Sequence, residues 1–296
     1  MRICYILNPD ARSGKSQKLE DFLRTYSYPE GTQIEFLFSQ GPGQAVMLAR
    51  EAAKRVDVVC AVGGDGTLKD VAEGVYRAGT SCLGLIPCGT GNDMIRTFSW
   101  DRDPEKAVRR LVMGKARYMD VGLVNDRFFL NIASIGFDAK VADETEHFKK
   151  KIKTSFSYKL GLLKALFTYK DLSLLRTNTQ GQEERVSCFL FAVGNGQYYG
   201  GGFQILPQAK VDDGYFDICL VKNIARPMVA LLLPSVAVHQ HHRFHRYVEM
   251  DHQKQVDCHV EGPFILNMDG EIEYFQEGQD LHFVLIPRGL RIMGDA

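Results

Sequence analysis

Carboxylates set among glycines recur in this chain, at spacings that could hold a phosphate group and a metal ion together. The first such stretch, Gly63-Gly64-Asp65-Gly66-Thr67, follows directly on the apolar run 58–62. A short β-branched run ending in glycines reads as a buried strand closing into a tight turn, where missing side chains let backbone N–H groups approach an anion. Thr67 with Asp70 three residues on has the form of a capping box, so a helix N-terminus and its partial positive charge should face that anion. Asp65 would repel a bare phosphate in such a loop, which points to a divalent cation between them and hence to a metal–nucleotide complex. The second stretch, Pro87-Cys88-Gly89-Thr90-Gly91-Asn92-Asp93, follows the apolar run 82–86. Pro87 fixes the exit from the strand, Thr90 and Asn92 have groups suited to phosphate or ribose, and Asp93 brings another carboxylate to the same sheet edge. An Asx turn would explain this stretch alone; beside the first it is more specific.

Two familiar nucleotide motifs are excluded. GxGxxG fails because the residue three after Gly66 is Lys69, and Ser13-Gly14-Lys15-Ser16 fails as a Walker loop because Pro9 stands where its first glycine belongs. The stretch from Asn8 to Lys15 still follows a strand and is rich in turn residues, as a non-Walker nucleotide loop would be. Far downstream, Asp269-Gly270-Glu271 lies between apparent strands. Its Asp-Gly is a common hairpin signal, but a tight turn there would also aim Glu271 as a base. The histidines at 239, 241, 242 and 245 lack a carboxylate or cysteine arrangement that would complete a metal site, and a surface turn explains them.

These residues need elements to hold them. Strand-like runs at 2–7, 33–38, 58–62 and 82–86 alternate with helix-like runs at 16–27, 44–55, 68–78 and 104–114. Such alternation predicts a parallel sheet with helices on both faces and ligand loops at the C-terminal strand ends. Beyond about residue 120, strands are expected at 117–123, 127–134, 184–193, 215–221, 256–260, 264–268 and 280–287, split by helices at 157–169 and 227–239. That texture suits an antiparallel β domain, with the site in the cleft between the two. The chain has 296 residues, 45% of them hydrophobic and 24% charged, enough for two domains of ordinary globular composition. Lys+Arg and Asp+Glu both number 36, so no overall basic character suggests a nucleic-acid partner. Seven cysteines without CxxC spacing read as reduced core residues of a cytoplasmic protein. The longest apolar stretch, 228–238, is broken by Pro234 and is too short to span a bilayer.

In these motifs the chain resembles the diacylglycerol kinase and sphingosine kinase superfamily in its compact bacterial form. The likeness is carried by residues 63–68, by residues 87–93, by Asp212-Asp213-Gly214-Tyr215 and by Asp269-Gly270-Glu271, in the family's order and at similar separations. The first element is shared with NAD kinases and phosphofructokinase-like enzymes; the second and the late Asp-Gly-Glu point to lipid kinases. The resemblance implies an α/β nucleotide-binding domain over 1–123, a mainly antiparallel β-sandwich lipid-substrate domain over 124–287, and a tail at 288–296 that returns to the first. It implies ATP contacts from Asn8, Pro9, Ser13 and Gly14 in the early loop, which is longer than the family's common form. Further ATP contacts would come from Ser39, where the family often has threonine, from Gly63, Gly64, Asp65, Gly66, Thr67, Leu68, Lys69 and Asp70, and from Thr90 and Asn92. Glu271 matches the general base, with Asp65 as a second catalytic carboxylate. Asp213 matches a magnesium ligand, with the backbone carbonyls of Lys210 and Tyr215, while Asp65, Asp93 and Asp120 resemble a carboxylate, water and magnesium network.

The expected activity is ATP- and Mg2+-dependent phosphorylation of a lipid hydroxyl, most simply diacylglycerol to phosphatidate. The alternatives are an NAD kinase acting on a soluble acceptor and a nucleotide-dependent lipid-binding regulator without turnover. A lipid acceptor requires peripheral contact with a membrane, and Lys149-Lys150-Lys151-Ile152-Lys153 followed by the aromatic and leucine-rich stretch 156–170 suits docking on anionic lipid. An ordinary amphipathic helix explains that stretch equally. Homodimerisation is compatible with the chain but is not assigned by any motif.

Overall fold

A computed structural model describes residues 1–8, 15–149, 156–177, 181–238 and 240–295. Strands β1 (Arg2–Leu7), β2 (Gln33–Phe38), β3 (Val58–Gly63) and β4 (Cys82–Pro87) lie parallel in the order β2-β1-β3-β4. Successive side chains of a strand point to opposite faces, so one strand serves two cores. Cys4, Ile6, Val59, Ala61, Leu83 and Leu85 pack under α2 (Gln44–Ala52) and α3 (Asp65–Ala78). Ile3, Tyr5, Val58, Cys60, Val62 and Ile86 pack against α1 (Lys15–Thr25) and α5 (Pro104–Met113), with the short α4 (Asp93–Thr97) between β4 and α5. Coverage on both faces is why these strands read as unbroken apolar runs.

The second half is antiparallel. It begins with β5 (Lys115–Val124), β6 (Arg127–Phe129) and β7 (Ile132–Gly136), followed by α6 (Phe137–Lys149) and α7 (Phe156–Thr168). Then come β8 (Leu172–Thr177), β9 (Glu183–Gly194), the small ribbon β10 (Tyr198–Tyr199) and β11 (Phe203–Gln204), β12 (Phe216–Lys222) and α8 (Arg226–Ala237). β13 (Val248–Gln253), β14 (Gln255–Glu261), β15 (Phe264–Met268), β16 (Glu271–Phe275) and β17 (Gln279–Gly294) complete the chain. Phe129, Phe191, Phe216, Phe283 and their aliphatic neighbours fill the interior of the sandwich. Phe137, Tyr169, Phe189, Val229 and Leu232 form another layer between the sheet and α6–α8. β17 pairs with β5 along much of its length, and its Ile292 reaches Leu83 of β4, so the last strand ties the antiparallel part to the parallel sheet.

Several boundaries differ from the sequence expectation. α3 starts at Asp65 rather than beyond Thr67, because Gly64, extended at φ −96°, is the N-cap and no side chain caps the helix. The Thr67–Asp70 capping box is therefore not formed; both residues lie within the helix. The strand expected over 127–134 is two, interrupted where the backbone N–H groups of Leu130, Asn131 and Ile132 turn to Asp269. α6 was not foreseen: Asp138, Lys140, Asp143 and Glu144 interrupt the apolar face made by Phe137 and Val141. All seven cysteines are free thiols, and all but Cys88 are buried.

Candidate active site

Two loops meet backbone to backbone at the ends of β3 and β4. A Cβ built on Gly89 would lie 2.4 Å from the Gly64 Cα, and one on Gly63 would lie 2.6 Å from the Thr67 side chain. Only glycine permits that approach. Asp65 fastens the contact: its Oδ2 accepts from the Asn92 N–H at 2.8 Å and its Oδ1 from the Asp93 N–H at 2.6 Å. Asn92 is left-handed at φ 50° and donates from its side chain to the Gly89 carbonyl. Asp93 in turn accepts from the Gly201 N–H through Oδ2, while its Oδ1 is buried without a hydrogen bond, 3.8 Å from Arg96 Nε. Burial, then the neighbouring Asp65 charge, pushes the Asp93 carboxyl up to about 6.

Above these loops lies a polar cleft of about 580 Å³, whose walls include Asn8, Ser39, Gly64, Gly66, Thr67, Asp70, Gly89, Thr90 and Glu271. The uncapped N-terminus of α3 opens onto it, an arrangement suited to anionic oxygen. Ser39 is buried and donates its hydroxyl to the Leu7 carbonyl. Pro9, Ser13 and Gly14 lie outside the described residues.

Glu271 reaches the cleft through a hairpin. Asp269 and Gly270 both have positive φ, 52° and 94°, as a two-residue turn between antiparallel strands requires. The half-buried Asp269 carboxylate accepts three backbone N–H groups, from Leu130, Asn131 and Ile132. Burial outweighs those bonds and raises it to about 6. Glu271 then pairs with Lys69, whose Nζ is 2.9 Å from its Oε2.

A separate apolar cavity of about 300 Å³ lies between the sandwich and α6–α8, with Phe137, Phe189, Phe203, Val229, Leu232 and Val236 among its walls. At one end it is bounded by Asp65, Lys69, Asp93, Asp269 and Gly270. Asp65 therefore lines both spaces, and the Lys69–Glu271 pair joins a wall of one to a wall of the other. Leu68 and Lys69, grouped with ATP contacts by motif, face the apolar side and are absent from the cleft walls. Asn131, Asp138 and the Gly200-Gly201-Gly202 run, which carry no motif role, border the apolar cavity or hold its rim. The triple glycine, with φ of 61°, 85° and 121°, was the visible signal. Asp138 accepts from the Ser134 hydroxyl at 2.5 Å, and burial pushes it up to about 6.

Asp213, Lys210, Tyr215 and Asp120 gather elsewhere and line neither space. Both oxygens of the buried Asp120 are occupied, by the Gly214 and Arg288 N–H groups, so this carboxylate shapes the 211–214 loop. Asp213 accepts from the Tyr215 N–H through one oxygen. Burial, then the Asp213 charge, raises the neighbouring Asp217 to about 6. Among the described residues no group of three or more His, Cys, Asp or Glu is arranged to hold a metal. Two separate places offer an oxygen to a cation, Asp93 Oδ1, which is buried without a hydrogen bond, and Asp213; Asp120 does not offer a free oxygen.

No helix among the described residues is long and apolar enough to cross a membrane. On α7, Leu163 is 54% exposed and Phe167 80% exposed, one turn apart. Lys150, Lys151 and Lys153 lie outside the described residues.

The profile of the diacylglycerol kinase catalytic domain matches residues 2–124, and that of the YegS C-terminal NAD kinase beta sandwich-like domain matches residues 131–293. A "probable lipid kinase YegS-like" protein of Chromohalobacter salexigens is 33% identical over 236 residues, covering 77% of this chain and 74% of its own. A diacylglycerol kinase of Staphylococcus saprophyticus is 30% identical over 224 residues, covering 75% and 73%. In fold, the chain resembles the crystal structure of a diacylglycerol kinase from Bacillus anthracis, with a TM-score of 0.73 at 20% identity, covering 99% of this chain and 97% of that one. An NAD kinase from Archaeoglobus fulgidus in complex with ATP is more distant, at a TM-score of 0.55 and 14% identity over 100% and 94% of the two chains.

Proposed function

The chain belongs to the diacylglycerol kinase family of lipid kinases, and from that premise we propose that it transfers the γ-phosphate of ATP to the hydroxyl of a neutral membrane lipid, diacylglycerol first among them. The observation that carries this reading is the meeting of a polar, glycine-walled cleft and an apolar cavity at Asp65 and the Lys69–Glu271 pair. A nucleotide suits the first space and an acyl chain the second. Their junction is where a phosphoryl donor and a lipid hydroxyl would face each other.

Phosphoryl transfer asks for little covalent help from protein; it asks for a held γ-phosphate, compensated charge and an aimed hydroxyl. In this reading the backbone around Gly64–Thr67 and Thr90 holds the phosphates, assisted by the α3 N-terminus. Glu271 takes the proton of the lipid hydroxyl as its oxygen bonds to the γ-phosphorus and ADP departs. Asp213 with the carbonyls of Lys210 and Tyr215 would hold Mg2+ in one place and Asp93 Oδ1 would offer a carboxylate oxygen to a cation in another, beside the cavity, where a bound cation would offset charge on the phosphate oxygens. Asp65 keeps the two loops together, and Asp120 keeps the Asp213 loop in place. The division of labour falls near residue 123, with the 288–296 tail returning to the nucleotide side.

The acceptor lies in a bilayer, and Leu163 and Phe167 on α7 provide apolar side chains for peripheral docking beside the cavity. Phe167→Asp should lower co-sedimentation with anionic vesicles several-fold while ATP binding is unchanged; unchanged sedimentation would refute this docking face. The activity itself is tested with radiolabelled ATP, Mg2+ and either diacylglycerol-containing vesicles or NAD. Label extracted into the organic phase is expected; label in NADP, or in no product with any lipid hydroxyl, would overturn the reading. Glu271→Gln should lower kcat by about 10²–10⁴-fold with an unchanged melting temperature, because the side chain is 58% exposed. Full turnover in that variant would remove Glu271 as the base.

A further inference from the structure

Lys69 is a buried cation at the acceptor side of the site. Its side chain is only 9% exposed, and its ammonium lies 2.9 Å from Glu271 Oε2, 3.3 Å from Glu73 Oε2 and 3.8 Å from Asp70 Oδ1. Three carboxylates around one ammonium exceed what neutrality needs. Asp70 and Glu73 belong to its own helix and are placed there by α3 itself. Glu271 is different: it arrives from β16, 202 residues away, with an exposed side chain that would otherwise spread over several rotamers.

We propose that Lys69 is a positioning residue for the Glu271 carboxylate, gripping Oε2 so that the other oxygen is left for the acceptor hydroxyl where the polar cleft meets the apolar cavity. The proposal rests on the reading of Glu271 as the base. Lys69 is absent from the cleft walls and present in those of the apolar cavity, which sets it on the acceptor side rather than among the phosphate contacts. Its grip is also electrostatic. The carboxylates of Asp65, Asp93 and Asp269 line the cavity beside Lys69, which is the one lysine or arginine among its described walls; Arg96, outside them, reaches only Asp93, with its Nε 3.8 Å from Oδ1. The Lys69 ammonium sets a positive charge directly against the Glu271 carboxylate. Burial lowers Lys69, but Glu271, Glu73 and Asp70 outweigh it and raise the ammonium above its ordinary value, so it stays charged throughout the working pH range.

The test is a double-mutant cycle on the full chain with diacylglycerol vesicles: Lys69→Met, Glu271→Gln and the two combined, with Lys69→Arg as the conservative variant. Lys69→Met is expected to lower kcat about 10–100-fold, with KM for ATP within about twofold, and to move the acid limb of the kcat–pH profile to higher pH. Lys69→Arg should restore most of the rate. The double variant should be no slower than Glu271→Gln alone, because Lys69 acts through that carboxylate. If Lys69→Met does not fold, Lys69→Gln, which keeps a donor and loses the charge, takes its place in the cycle. Additive losses, an effect falling on the KM for ATP, or an unmoved acid limb would each overturn the proposal. Full turnover of Glu271→Gln would overturn the base reading itself, and that arm is read separately from every Lys69 variant.

Discussion

The two spaces that meet at Asp65 are built in opposite ways. The polar cleft is centred on two short runs of consecutive residues, 64–67 and 88–91, placed side by side by neighbouring parallel strands, with Asn8, Ser39, Gly41, Pro42, Ala45 and Glu271 around them. The apolar cavity is made of side chains drawn from α3, α4, α6, α7, α8, β9 and β12 and from the turns near Asn131 and Asp269, scattered over some 200 positions. Local geometry suffices for the first; the second exists only when the whole antiparallel half is packed.

The hardest way to break the comparison is to part the two loops. Gly89→Val places branched carbon where a single Cβ already comes within 2.4 Å of the Gly64 Cα. Backbone cannot yield as a flexible side chain does, so Asp65 should lose its bonds to Asn92 and Asp93. Activity is expected to fall more than about 100-fold, with stability lower by roughly 1–3 kcal/mol. Measured ATP affinity should fall as well. A variant that binds ATP normally would show that the cleft does not depend on backbone contact.

A milder break is to fill the apolar cavity. Val229 is buried on α8 and faces it. In Val229→Trp the larger side chain should occupy acyl space, lowering kcat/KM for long-chain diacylglycerol by about 10-fold or more, the scale on which hydrophobic pockets discriminate. The KM for ATP should not move, and a short-chain acceptor should be less affected than a long one. Equal losses for both chain lengths would mean that the cavity does not hold the acyl chain.

The same contrast governs what could be read in the sequence. The four parallel strands lie within one residue of expectation because burial on both faces makes them unbroken apolar runs. Both glycine loops were legible because their chemistry is contiguous. The start of α3 was misplaced because its cap is a glycine with no side chain to read. α6 was hidden by charges that pair with one another and with Lys164 and Tyr274 only in the folded chain. Strands β8, β13 and β16 were missed because they are only partly buried and show no unbroken apolar run. The cavity and the Lys69–Glu271 pair have no local signature, since each is a product of tertiary placement; motif reading accordingly grouped Lys69 with the nucleotide.

The subtlest test falls on Asp93, which lines the apolar cavity and whose backbone N–H is held by Asp65, the residue that lines both spaces. Its carboxyl is held at about 6 when folded, first by burial and then by Asp65, against about 3.9 in an unfolded chain. A raised carboxyl binds its proton more tightly folded than unfolded. Its contribution is complete below about pH 4 and is lost as pH rises through about 6, which costs on the order of 1–3 kcal/mol at neutral pH. Asp138, Asp217 and Asp269, also at about 6, share that slope, so Asp93→Asn should remove one part of it. Asparagine keeps an oxygen for the Gly201 N–H and sheds the charge. The variant should therefore melt a few degrees higher than the parent at pH 7.5, with the gap closing by pH 4.5. Mg2+ should narrow the same gap at pH 7.5 by stabilising only the parent, if the buried Oδ1 is where a cation binds. An equal melting difference at both pH values would show that the Asp93 charge is already compensated within the fold, and that the junction of the two spaces is not strained by its carboxylates.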